Sequence, residues 1–253
     1  MQKNSKKNCN LIRKKILILS QKVSALHIGG SFSSVELIER IFFKIKKKND
    51  TFILSKGHAG ILLYVILNIL GKIDNKNLSL YCNKKGKLGV HPDYNNFGIS
   101  ASTGSLGHGL GMAAGMAISE INTKKKIFVL ISDGELHEGS VWESILFISS
   151  KKLNNIILLI DNNNLQSSTK STDTHPSLYP IDKKLKAFGW NVKNCNGHNS
   201  KEIEKKINLN SKRPFALVAK TIKGYPVSFM KNKPEWHYRS PNIKELRKAL
   251  GEI

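Results

Sequence analysis

The chain has 253 residues, 40% of them hydrophobic, which is enough for a sizeable core in one large domain. Its three separated cysteines, Cys9, Cys82 and Cys195, form no CxxC pair; this argues against a disulfide framework or a cysteine zinc site and suits a reduced, cytoplasmic setting. The formal charge of +23 rests on 41 basic residues, only five of them arginine (Arg13, Arg40, Arg213, Arg239 and Arg247), with the lysines dispersed among Asn and Ile. That pattern reads as a solvated basic surface, because nucleic-acid readers cluster their charge and favour the arginine fork.

Residues 1–10 read as a basic tail, and the apolar run behind it, Ile16–Leu19, is too short for a secretory signal. One domain is expected over 11–253. Ile12, Ile16, Leu19, Val23 and Leu26 recur at helical spacing, and "SSVELIERIFFKI" (33–45) forms a second amphipathic pattern. The run "ILLYVILNIL" (61–70) is about half of a membrane span, so no membrane partner is expected. Strands are expected at 51–54, 127–131, 156–160, 190–194 and 215–221, with helices between them at 105–120, 138–152, 180–188 and 200–208. Strands that are apolar throughout and alternate with helices predict an α/β fold: a three-layer, mainly parallel sheet with helices on both faces.

Ligands of such sheets sit beyond the carboxyl ends of the strands. The strand "IFVLI" ends there in "SDGE" and its neighbour "IILLI" in "DNNNLQ", so Asp133 and an Asn run that includes Asn163 share one edge. Carboxylate and amide oxygens without sulfur or imidazole suit Mg²⁺ or Ca²⁺. A cation held by a single carboxylate completes its shell with water and phosphate oxygens. A candidate phosphate cradle lies in "STGSLGHGLGMAAGMAISE" (102–120), where Gly104, Gly107 and Gly109 precede a helix N-terminus. The Gly107, Gly111 and Gly115 stripe is expected to permit a tight helix–helix contact. Glu135 reads as an acid favouring a helix N-terminus, Asp161 as a cap or turn former, and His175 and His198 as structural or solvated histidines.

The segments "LSKGHAGILLY", "GVHPD", "ASTGSLGHGLGMAAGMA", "SDGELHEGSVWE", "IDNNNLQ", "FGWNV", "KTIKGYPVSFM" and "PEWH" occur in the order found in transketolases. From about Leu11 onward the chain resembles the N-terminal, diphosphate-binding half of that enzyme, with the length of the separate N-terminal subunit of split transketolases. The resemblance implies thiamine diphosphate and Mg²⁺ as cofactors, with Ca²⁺ a possible substitute. Asp133 and Asn163 match the side-chain metal ligands, and Leu165 matches the position whose carbonyl completes the site. Gly104, Leu106 and Gly134 match residues lining the cofactor, and His58 the histidine near its diphosphate. His27, His91 and His237 resemble the catalytic histidines facing the reacting carbons and substrate oxygens, His237 also touching the cofactor. Glu138 resembles a buried acid of the subunit interface.

Three positions depart from the family pattern. Ser132 stands where the turn usually has Gly, Ile28 follows His27 where proline is common, and His108 stands where many members have glutamine. The activity implied is transfer of a two-carbon ketol unit from a ketose or its phosphate to an aldose. In the family the glutamate that activates the cofactor lies in a second domain, so a separate C-terminal transketolase subunit is expected to complete the site, as an α₂β₂ assembly. Two alternatives stand beside it. One is another thiamine-dependent half, of a 2-oxo acid dehydrogenase or of a transketolase relative acting on unusual sugars, and the other is a non-catalytic binding module. "GVHPD" and "PEWH" favour transketolase over the dehydrogenase.

Overall fold

The computed structural model describes residues 2–253, with side chains from Asn4 onward. Helix α1 (Gln2–Ser20) begins where the tail was expected. Ser5, Cys9, Ile12 and Ile16 are buried on one helical face, so residues 2–10 are its first half. Met1 lies outside the described residues. The helix stops at Ser20, whose hydroxyl bonds back to the Leu17 carbonyl at 2.6 Å. Val23 and Leu26 therefore pack from the turn that follows, beyond the helix their spacing suggested.

Two short helices come next, α2 (Ile28–Ser33) and α3 (Val35–Arg40), the second widening into a π-helical turn over Ile41–Ile45. The remaining elements alternate: β1 (Thr51–Leu54), α4 (Gly60–Ile69), α5 (Asn75–Ser79), α6 (Gly109–Ser119), β2 (Ile127–Ser132), α7 (Gly139–Ser150) and β3 (Ile156–Asn162). A small hairpin, β4 (Leu165–Gln166) and β5 (Thr169–Lys170), leads through α8 (Ser171–Thr174) to α9 (Ile181–Ala187), β6 (Asn191–Asn196), α10 (Ser200–Lys206), β7 (Phe215–Lys220) and α11 (Ile243–Gly251).

The main sheet is five-stranded and parallel throughout, in the order β1-β2-β3-β7-β6. Each strand feeds two cores because alternate side chains point to opposite faces. Phe128, Leu130, Ile157, Leu159, Phe215 and Leu217 join α1, α3 and α4 on one side. Ile127, Val129, Ile131, Ile156, Leu158 and Ile160 join α6, α7 and α9 on the other. Burial on both faces explains why these strands are apolar without alternation. The apolar run at 61–70 is largely helix α4, buried along most of its length, and no described helix is long and apolar enough to cross a membrane.

Candidate active site

Four strands, β1, β2, β3 and β7, deliver their carboxyl ends to one cleft. Asp161, on β3, is fully buried there and gathers partners from across the chain. Lys56, just past β1, meets its carboxylate at 2.5 Å; Ser33 and Ser34 donate at 2.6 and 3.0 Å, and Thr221, beyond β7, donates to the other oxygen. Lys56 Nζ also donates to the Gly30 carbonyl at 2.8 Å. Burial pushes the Asp161 carboxyl up, but Lys56 and the hydroxyls more than offset it and hold it below the ordinary value. Asp161 is thus a central buried acid and not the cap expected of it.

Asp133, on the neighbouring strand end, is equally buried and differently supplied. It accepts from the amides of Gly134 (3.0 Å) and Asn164 (2.5 Å) and from the Tyr179 hydroxyl (3.0 Å). No cationic side chain bridges to it among the described residues. Burial, then the charge of Asp161, pushes its carboxyl up to about 7. Asn163 faces the same cleft: its Nδ2 donates to Asp161 at 3.1 Å and its Oδ1 accepts from the Leu165 amide at 3.0 Å. Asn164 takes a left-handed φ of 61°, which turns the chain so that its amide reaches Asp133. A buried carboxylate without a counter-charge, beside an amide oxygen, fits a hard divalent cation whose shell is finished by ligand oxygens. No group of three or more His, Cys, Asp or Glu suited to a metal exists among the described residues.

The glycine loop differs from the open cradle expected. The Gly107 amide donates to Glu135 at 2.9 Å, and Ser55 donates to the same oxygen at 2.5 Å. Glu135 is fully buried in a 3₁₀ turn ahead of α7, and burial pushes its carboxyl up against those bonds. It ties the loop to the sheet and does not serve a helix N-terminus. Gly107 needs to be glycine: its φ is +87°, and a Cβ there would stand 2.5 Å from Ser140 Oγ. Gly104 and Leu106 do line the cleft. Ser132 suits its turn, since it stays in extended strand conformation and its hydroxyl accepts from the Glu135 amide at 3.2 Å.

The opposite wall is made of imidazoles. His27 lies 5.2 Å from His58 and 5.1 Å from His237, centroid to centroid, and His91 packs against Gly104, where a Cβ would come within 3.2 Å of its ring. Lys223 enters from the turn after β7, with Nζ 3.0 Å from His237 Nδ1 and 3.3 Å from the Ser167 carbonyl. An ammonium only donates, so Nδ1 of His237 is the acceptor and the ring carries its proton on Nε2. Burial, then neighbouring charges, keeps three of these rings neutral: His27 falls to about 4, His237 to about 3, and His58 well below the ordinary value. Burial, then Lys56, lowers Lys223 to about 8. The cleft they enclose holds about 470 Å³. It combines a site fit for a cation, the Lys223 ammonium suited to an anion, and histidine nitrogens able to make hydrogen bonds.

Residues 10–252 match the family described as transketolase, thiamine diphosphate binding domain. The chain belongs to the transketolase family. It is 36% identical to the apulose-4-phosphate transketolase subunit of Actinobacillus succinogenes, covering 98% of this chain and 95% of that one. It is 31% identical to a 6-deoxy-6-sulfo-D-fructose transketolase subunit of Clostridium sp., covering 96% and 94%. Among solved structures, transketolase of Campylobacter jejuni superposes with a TM-score of 0.88 at 25% identity, over 96% of this chain and 42% of that one. The Leishmania mexicana enzyme matches in fold with a TM-score of 0.91 at 20% identity, over 98% and 41%. The chain thus spans about two fifths of those single-chain transketolases and nearly the whole of the subunits.

Within this transketolase-family cleft, the residues that sequence reading singled out come together: His27, His58, His91, Gly104, Leu106, Gly134, Glu138, Asn163, Leu165 and His237 all line it, and Asp133 lies just beneath. Lys56, Lys223, Asp161 and Thr221 were missed as site residues. Lys56 and Lys223 stood in view inside "SKGHAG" and "KTIKGYP", beside the residues that were chosen. Glu138 is exposed on this chain. So are Gly111 and Gly115, where a Cβ would meet only Ser144 Oγ at 3.4 Å and nothing at all, respectively. Of the small-residue stripe only Gly107 is buried, against Ser140 at the start of α7; the rest faces outward, together with Ile118, Leu146 and Phe147, which are 45%, 54% and 42% exposed.

Proposed function

We propose that this chain is the thiamine diphosphate-binding subunit of a split, cytoplasmic transketolase, moving a two-carbon ketol unit from a ketose to an aldose. The carrying observation is Asp133: a buried carboxylate without a cation, next to Asn163 and opening on a cleft walled by histidines and two lysines. Asp133, the Asn163 Oδ1 and the Leu165 carbonyl would hold Mg²⁺, or Ca²⁺ in its stead. Lys223 offers positive charge and a donor to a diphosphate, and neutral His58 a ring N–H, while Gly104, Leu106 and Gly134 keep the wall close. When bound, thiamine diphosphate supplies the electron sink that lets a carbon–carbon bond of a ketose break. His27, His91 and His237 orient sugar hydroxyls and carry protons to and from substrate oxygens. At ordinary pH the rings of His27 and His237 are unprotonated, and His237, with Nδ1 on Lys223, presents its Nε2–H as a donor to a substrate oxygen.

A separate C-terminal subunit supplies the rest of the site, a reading supported by relatives named as transketolase subunits, and α₂β₂ is the assembly we expect. The outward stripe of α6 and α7, with Glu138 at its edge, suits a second copy of this chain. Donors outside the common sugar phosphates are favoured by the relatives matched end to end, named for apulose 4-phosphate and for a sulfonated fructose. Calorimetric titration with thiamine diphosphate, with and without Mg²⁺, tests the reading. Magnesium-dependent heat in wild type that vanishes in Asp133→Ala supports it; its absence in wild type overturns it. A donor-sugar screen on the chain co-purified with its partner then identifies the substrate.

A further inference from the structure

We propose that His198 is a positioning residue, a brace outside the cleft that holds the turn after β7 so that Thr221 and Lys223 reach into it. The inference rests on the function proposed above. His198 has a side chain 8% exposed and makes two directional bonds. The Ile222 amide donates to its Nε2 at 2.8 Å, so that nitrogen carries no proton; Nδ1 therefore bears it and donates to Glu36 Oε2 at 3.0 Å. Glu36 is fixed in turn by Arg13, at 2.7 Å, whose side chain is 2% exposed. Burial raises the Glu36 carboxyl, but Arg13 and His198 more than offset this and hold it below its usual value.

Arg13 closes the other end of the turn by donating to the Tyr225 carbonyl at 3.1 Å, and the His198 ring stacks on Tyr225 with centroids 3.9 Å apart. The Gly224 amide donates to the Gly29 carbonyl at 3.0 Å. Lys223 sits between these anchors, its ammonium on His237, and Thr221 donates to Asp161. One buried triad from α1, α3 and the loop before α10 thus fixes the backbone on both sides of a lysine that faces the cleft. None of the three touches the cleft itself.

Two substitutions separate the bonds. His198→Gln can present its Oε1 where Nε2 stands and so keep the Ile222 amide, while His198→Asn can present its amide nitrogen where Nδ1 stands and keep only Glu36. Hydrogen exchange of the 221–225 segment is read on the full chain without ligand, and thiamine diphosphate affinity is read by calorimetry with Mg²⁺. His198→Asn is expected to speed exchange there, and weaken cofactor binding, by roughly tenfold each, as the loss of one buried hydrogen bond predicts. His198→Gln should restore most of both. Equal losses in the two variants, or unchanged affinity in His198→Asn, would overturn the inference. One check needs no variant: a wild-type Ile222 amide that exchanges as fast as an open loop also overturns it. Wild-type protein that binds no cofactor sinks the proposed function instead; a persisting exchange contrast would then make His198 a brace of the fold alone.

Discussion

Asp161 and Asp133 end adjacent parallel strands and are both buried, yet the chain supplies them differently. Asp161 receives an ammonium, three hydroxyls and an amide from this protein, and its carboxyl stays below the ordinary range. Asp133 receives two amides and a phenol, and its carboxyl is driven up to about 7. Amides and a phenol orient a carboxylate without neutralising it, so a buried acid so furnished waits for charge from outside. The first aspartate belongs to the scaffold and the second to whatever binds.

The largest effect should come from undoing the completed pair. Lys56→Met leaves Asp161 buried and uncompensated, and about 3–5 kcal/mol of unfolding free energy should disappear in urea titrations; a loss under about 1 kcal/mol would break the comparison. Next comes filling the other site: thiamine diphosphate and Mg²⁺ at a hundred times their dissociation constant should add about 2.7 kcal/mol to wild type and nothing to Asp133→Ala, read as a shift in melting temperature.

Acid should act through the histidine wall. His27 and His237 titrate at about 4 and about 3 in the folded chain, against the ordinary 6.5. Between pH 6.5 and 4 the unfolded state therefore holds more protons on these two rings, so their contribution to stability rises with pH across that window and falls on acidification, against an opposite contribution from Asp133. Calorimetric scans at pH 7 and 5 of wild type and of Asp133→Asn isolate the drop, and a His27→Gln, His237→Gln double variant should lessen it, leaving the share of His58. The smallest effect belongs to an exposed pair. Lys186 lies 2.8 Å from Asp182, close to the spacing of Lys56 and Asp161, but is 53% exposed. Lys186→Ala should cost only about 0.3–0.5 kcal/mol, and a larger loss would mean that burial is not what separates the two pairs.

The sheet was legible because its signal is local. Runs such as "IFVLI" and "IILLI" announce strands buried on both faces, and Asp133 and Asn163 follow them within three residues. Asp161 and Glu135 were misread because their partners are remote: Asp161 meets Ser33 and Lys56 across separations of 128 and 105 residues, and Glu135 meets Ser55 across 80. Near its own sequence each looked like a turn or helix-end acid. Lysine content concealed α1 as well, since the basic residues of 2–10 share a helix with Ser5 and Cys9, which are buried. His198, read as structural or solvated, is structural, and its bonds too run to the remote Glu36 and Ile222 and not to its neighbours.

Leu146 and Phe147, left in water on a lone chain, turn production into a question of dosage. Copies that find no second copy keep that flank in water, and the surplus of 23 positive charges then opposes their clumping.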